Sequence, residues 1–420
     1  MRESKKKVIL WITAAACLVN LALGWLLANT LIVSGGAVGL CYVVLQVVYR
    51  RRALRMKVTM PTTTDEVVVA ARPVPACGSR QAVDPNDVEA LVDQLLAQYR
   101  YPLLLRPQII QNLTESQFRR ALTALEEGMA LVPDGEVALG RIDEAPYDGE
   151  LDDRDPDESE VSVCTGQVVQ VDRFFLDRYP VTNRQFYEFV AAGGYEKMSL
   201  WEESIWPAVL DFVDRAGAPG PRYWKDGCYL RGQGHHPVVG VSWHEAAAYA
   251  RWVGKRLPTD AEWVKAGSWP VSLSATTRQQ RKYPWGDTMD PTRANLWSSG
   301  AAGIVAVDRF AKGVSVGGVC QLVGNVWEWT SGDFHTGDRL AEEQVAETPL
   351  KNIRGGAFDT YFDHQATCLF PSGEQMLARK HNIGFRLAVG ACDIVLACPA
   401  TAPSAEDAGQ TKVSVEEVAV

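Results

Sequence analysis

Asp359, Asp363 and His364 stand within six positions of one another near the end of the chain. Two carboxylates and an imidazole at that spacing form a candidate site for a metal or a polar ligand, or a solvated loop. Cys368 is the only cysteine of that segment, and taken alone it reads as a small buried hydrophobe. The six histidines are His235, His236, His244, His335, His364 and His381. His235 and His236 are adjacent, so they cannot both face one metal from a strand, and a turn is expected there. The nine cysteines form no CxxC pair and no short zinc spacing. Seven of them lie beyond residue 57, an odd number that suits reduced thiols. No Gly-x-Ser-x-Gly motif and no phosphate loop is present. Asp177-Arg178 and Arg386 read as structural ion-pair residues.

The elements that must position these residues begin with capping boxes, in which a Thr or Ser precedes a Gln or Glu by three positions. Thr182–Gln185, Ser242–Glu245 and Thr259–Glu262 each predict a short helix. Gly/Pro turns such as Gly217–Pro221 and Pro284–Gly286 lie between short strands. The predicted fold class from about Leu131 to Gly390 is therefore α+β, irregular, with a core built on aromatics. Upstream, residues 84–130 read as a helical adaptor. Asp84-Pro85 opens its first helix, whose stripe is Val88, Leu91, Val92, Leu95, Leu96 and Tyr99. Thr114 with Gln117 opens the second, with Phe118, Leu122, Leu125 and Met129.

The chain has 420 residues, with 42 Lys+Arg against 51 Asp+Glu and a net charge of −9. Residues 1–57 hold nine of the basic residues and one acid, which leaves −17 on the remainder. An acidic body repels phosphate backbones, so no nucleic-acid partner is expected. From Val8 to Tyr49 there is no charge, a run of 42 residues. One membrane helix needs about 20 apolar residues, so the run predicts a transmembrane hairpin, about 8–28 and 31–49. Lys5-Lys6-Lys7 and Arg50-Arg51-Arg52 flank its outer ends, which the positive-inside rule places in the cytoplasm together with the large domain. The alternative is a signal peptide or anchor that leaves the domain on the exported side. Residues 58–83 read as a linker, 143–160 as an acidic surface loop, and 391–420 as a disordered tail.

An ordered series of motifs carries a family resemblance. It runs through Phe174-Phe175-Leu176-Asp177-Arg178-Tyr179-Pro180-Val181-Thr182-Asn183 and His236-Pro237-Val238-Val239-Gly240-Val241-Ser242-Trp243. Then come Lys255-Arg256-Leu257-Pro258-Thr259-Asp260-Ala261-Glu262-Trp263, Tyr283-Pro284-Trp285-Gly286 and Gly324-Asn325-Val326-Trp327-Glu328-Trp329. Arg354-Gly355-Gly356 and Gly384-Phe385-Arg386 close it. Over roughly residues 131–390 the chain resembles the formylglycine-generating enzyme (sulfatase-modifying factor) family. The resemblance implies an irregular α+β fold related to C-type lectins.

It also implies chemistry. The family's oxidases carry two cysteines, five residues apart after the Gly-Gly motif, thought to hold copper; soft thiolates suit Cu(I). Counted from Gly355-Gly356, those positions are Thr360 and Gln365, and the family's serine is Ala357. Copper is therefore not expected, and the resemblance points away from oxidase chemistry. A family calcium site carries over to Gln321, Gly324, Val326 and Glu328, all hard oxygen donors. A second would begin at Asn295-Leu296, where the expected acidic partner is missing. The iron site of ergothioneine-type relatives needs ligands on a preceding helical domain, and residues 84–130 contain no histidine. The expected function is a membrane-anchored, non-oxidase binding or accessory module with a protein or ligand partner at the 357–381 surface. The alternative is a divergent oxidoreductase acting on protein cysteines or thiols, or using another metal at Asp359, Asp363 and His364.

Overall fold

Each capping box read from the sequence forms as a hydrogen-bonded cap. In the computed structural model, which describes residues 87–140, 167–272, 278–334 and 350–397, helix α1 spans Val88–Ala97. Short turns α2 (Tyr101–Leu104) and α3 (Pro107–Ile110) follow, and then α4 (Glu115–Gly128), which starts at the Thr114–Gln117 box. The first cap differs from expectation. Asp87, not Asp84, accepts the Ala90 N–H and starts α1, while Asp84 lies outside the described residues. The expected six-residue stripe also splits. Val92 is buried, whereas Val88 and Leu91 are exposed. Along a helix that advances about 100° per residue, Val92 and Leu96 share one edge, and Val88 and Leu91 share the next. The helices α2 and α4 cover the first edge more fully.

These helices join the large domain through a common core. Phe118, Ala121 and Leu125 of α4 pack with Phe175, Val389 and Ile394. Polar bonds reinforce the junction. Arg100 Nε donates to the Trp252 carbonyl at 2.9 Å, and Arg106 Nη2 to that of Gly254 at 2.9 Å. Lys255 Nζ, buried, donates to Asp177 Oδ1 at 2.6 Å and to the Tyr101 hydroxyl at 2.9 Å. Burial alone would lower the Lys255 pKa, but Asp177 and Tyr101 more than offset it and hold the ammonium above its usual value.

After α4 the chain enters β1 (Met129–Val132) and β2 (Gly135–Leu139), then β3 (Gln167–Val171) and β4 (Phe174–Asp177). Helices α5 (Asn183–Ala191), α6 (Trp206–Val209), α7 (Trp243–Val253) and α8 (Asp260–Ser268) follow. The short pair β5 (Val271–Ser272) and β6 (Arg278–Gln279) comes next. The last strands are β7 (Trp327–Asp333), β8 (Leu350–Arg354), β9 (Ser372–Gln375), β10 (Ile383–Phe385) and β11 (Ala388–Gly390). One sheet has the order β1-β4-β11, and a second β10-β7-β8-β9 with β10 parallel to β7. The expected aromatic core is present: Phe186 stacks on Tyr249 at 5.2 Å, and Tyr249 meets Phe385 edge-on at 5.7 Å. No described helix is long and apolar enough to cross a membrane; the expected spans at 8–28 and 31–49 lie outside the described residues.

Candidate functional site

The segment after β8 is built on a turn that only glycine allows. Gly355 has φ 95°, and a Cβ there would stand 2.2 Å from the Leu322 carbonyl oxygen. The turn hangs from Arg354, which is buried, paired with Asp260, and bonded through Nη1 to the Leu369 carbonyl at 3.0 Å. Beyond the glycines, the Ala357 N–H donates to Thr360 Oγ1 at 2.8 Å, and the Thr360 N–H donates back to the Ala357 carbonyl at 2.9 Å. The Thr360 carbonyl accepts from the Trp297 N–H at 3.3 Å. Thr360 is thus a buried turn-former with its hydroxyl engaged. Gln365 is half-buried in the next turn, Asp363–Gln365. Neither side chain offers a soft donor, so the pair does not fit copper. Cys368 is fully buried, and burial pushes its thiol well above the ordinary range, as an inert core cysteine requires.

Asp359, Asp363 and His364 do not converge. Among the described residues no three His, Cys, Asp or Glu side chains stand together as a metal site. The three residues expected as a candidate polar cluster are thus spread along the turn. Asp359 faces the turn that precedes β10: both its oxygens accept from Asn382 Nδ2 at 3.1 Å, and His381 Nε2 lies 3.4 Å away. Asp363 and His364 are exposed on the short turn. The physical reason is the turn between them, which sends Tyr361 and Phe362 outward and separates the two ends.

Sequence reasoning missed the consequence of that turn. Tyr361 is 66% exposed, Phe362 55% and Trp297 58%. Their rings adjoin: Trp297–Tyr361 at 6.2 Å and Tyr361–Phe362 at 5.1 Å, perpendicular. Phe362 meets His364 at 5.6 Å, and His364 meets Phe370 at 5.9 Å. None of the cation–π contacts among the described residues falls on these rings. Asp363 flanks the row, and the buried Tyr283 has its hydroxyl pushed up to about 12, by burial first and then by Asp363. The signal was Tyr361-Phe362 in a Gly/Asp turn, where apolar residues have no core to enter. An open groove of about 660 Å³ on the α1–α4 pair is lined by Leu96, Arg119, Thr123 and Ala124 and by none of these residues.

The residues expected to hold calcium are engaged otherwise. Glu328 and Arg386 form a wholly buried pair. Arg386 Nη2 reaches Glu328 Oε1 at 2.8 Å, and Arg386 Nε reaches Oε2 at 2.7 Å. Trp263 Nε1 also donates to Oε2 at 2.8 Å. The Gly324 carbonyl accepts from the Val326 N–H at 2.9 Å, and the Gln321 side chain is bonded at both ends. As placed, Gln321, Gly324, Val326 and Glu328 do not fit a calcium ion, because the only carboxylate is neutralised by a guanidinium. The pairing also assigns the structural ion pairs left open by the sequence: Arg386 with Glu328, and Asp177 with Lys255. Arg178 instead donates to the carbonyls of Gly318 and Glu126.

Comparison with known proteins agrees with the motifs. Residues 114–391 match the model of the sulfatase-modifying factor enzyme 1-like domain. The match begins at the N-cap of α4, inside the region expected to be a separate adaptor. The formylglycine-generating enzyme of Thermomonospora curvata is 32% identical over 289 residues, which are 60% of this chain and 88% of that protein. Hercynine oxygenase of Mycobacterium tuberculosis is 38% identical over 174 residues, 39% of each protein. The inactive C-alpha-formylglycine-generating enzyme 2 of Bos taurus is 31% identical over 255 residues, 53% of this chain and 79% of that one. The chain therefore belongs to the sulfatase-modifying factor enzyme 1-like (formylglycine-generating enzyme) family.

Proposed function

We propose that this chain is a non-oxidase member of its family, a binding or accessory module whose partner docks on the 357–381 face. The observation that carries the reading is the Trp297–Tyr361–Phe362 row, held outward on hydrogen-bonded turns. Exposed aromatic side chains on a rigid support give large contact area at low ordering cost. Thr360 and Gln365 at the counted cysteine positions support the non-oxidase part, as does the full burial of Cys368. The uncharged run 8–49, with basic residues at both ends, supports a membrane anchor with the domain on the cytoplasmic side.

The test uses the full-length chain with a photo-crosslinking residue at position 361. Crosslinks to one defined partner, lost in the Trp297→Ala/Phe362→Ala variant, are the expected result. If that double variant leaves the crosslinks unchanged, the reading fails.

A second reading is a divergent oxidoreductase modifying protein cysteines, favoured by the 88% coverage of a relative named as a formylglycine-generating enzyme. Mass spectrometry of a Cys-x-Pro-x-Arg peptide, incubated with the chain, copper, oxygen and reductant, separates the two. Conversion of the cysteine to formylglycine would establish the second reading and overturn the first.

A further inference from the structure

We infer that three buried carboxamides, two of them (Asn295 and Gln321) at positions where calcium was expected, hold the Gly303–Arg309 loop in place of an ion, so that the domain folds without calcium. Asn295, Gln321 and Asn325 are 1%, 5% and 0% exposed. Each side-chain NH2 has two hydrogens, and each meets two acceptors. Asn295 Nδ2 donates to the Gly303 carbonyl at 3.0 Å and to Asn325 Oδ1 at 2.9 Å. Asn325 Nδ2 donates to the Val305 carbonyl at 3.0 Å and to Gln321 Oε1 at 2.7 Å. Gln321 Nε2 donates to the carbonyls of Ala306 at 3.0 Å and Arg309 at 2.9 Å.

The orientation of the chain of amides is set by backbone groups. The Val305 N–H donates to Asn325 Oδ1 at 2.9 Å, so that atom is the oxygen. Gln321 Nε2 lies between two carbonyls, and a flip would set oxygen against oxygen. A calcium site needs oxygens converging on one point. Here the carbonyls of Gly303, Val305, Ala306 and Arg309 face N–H donors instead. The relay also accounts for two left-handed residues, Gln321 at φ 52° and Asn325 at φ 69°, which the surrounding bonds hold in place.

The relay adjoins the turn that carries the aromatic row. Ser299 Oγ donates to the Leu296 carbonyl at 2.8 Å, accepts from the Leu296 N–H at 3.2 Å, and lies 3.3 Å from Asn295 Oδ1. These bonds shape the Trp297–Ser299 turn that presents Trp297 to Tyr361. The placement of that face is thus independent of a bound cation.

Thermal unfolding of the full-length chain in EDTA and in millimolar calcium is the test. The midpoint is expected to be the same in both; a rise of several degrees in calcium would overturn the inference. Gln321→Glu supplies the second arm, because a carboxylate cannot donate to Ala306 or Arg309. In EDTA this variant is expected to melt well below the unmodified chain, and an unchanged midpoint would overturn the relay. If the variant does not fold at all, the EDTA and calcium comparison on the unmodified chain still decides the matter.

Discussion

Replacing Arg386 with Met removes the cation from a wholly buried pair and leaves Glu328 with the Trp263 indole as its remaining donor. Breaking a buried ion pair from one side costs about 3–5 kcal/mol, because a charge is left uncompensated. Arg386 also donates to the carbonyls of Asp177 at 3.0 Å and Cys320 at 2.8 Å, which lose those donors. Each orphaned buried acceptor adds roughly 1–3 kcal/mol. The sum, about 5 kcal/mol or more, rivals the roughly 5–15 kcal/mol that holds an ordinary domain together. At about 2–4 °C per kcal/mol, the unfolding midpoint should fall by 10 °C or more. The assay is thermal unfolding of the full-length chain, followed by near-ultraviolet circular dichroism of the buried tryptophans. Glu328→Leu combined with Arg386→Met should recover part of the loss, since removing both charges together is often neutral. A midpoint change below about 2 °C in the single variant would refute the reasoning. So would a double variant that loses the full sum of both single losses.

Two further expectations concern titration and reactivity. Burial holds His244 below its usual 6.5; Glu202 pulls it up, while Arg251 and Lys351 push it further down. The unfolded chain therefore binds a proton near pH 6.5 that the folded chain refuses, and stability should fall as the pH drops below that value. His236, held low by burial with Asp308 opposing, acts in the same direction. Urea midpoints between about pH 5 and 8 should show a shallower acid slope for His244→Gln; an unchanged slope would remove His244 from the account. Cys368 should resist alkylation in the native chain while the exposed Cys392 reacts. Peptide mapping that found equal labelling of both would contradict the burial of Cys368.

What the sequence determined was local and periodic. Thr114, Thr182, Ser242 and Thr259, each three residues before a Gln or Glu, set four helix starts, because a capping box closes within one turn. The aromatic core around Phe186, Tyr249 and Trp252 was legible in the same way, as apolar stripes on those helices. Identity of the family came from motif order along the chain. What only the tertiary structure decided involved partners distant in sequence. Glu328 meets Arg386 across 58 positions, and Asn382 meets Asp359 across 23, pairings that no local pattern encodes. The carboxamide relay spans 30 positions between Asn295 and Asn325, and an amide shows which end it offers only when its partners are in place. Tyr361 and Phe362 illustrate the same limit. The sequence sets them in a Gly/Asp turn, but only the Thr360 turn decides that both face solvent, because a side chain's direction follows from the backbone that packing fixes.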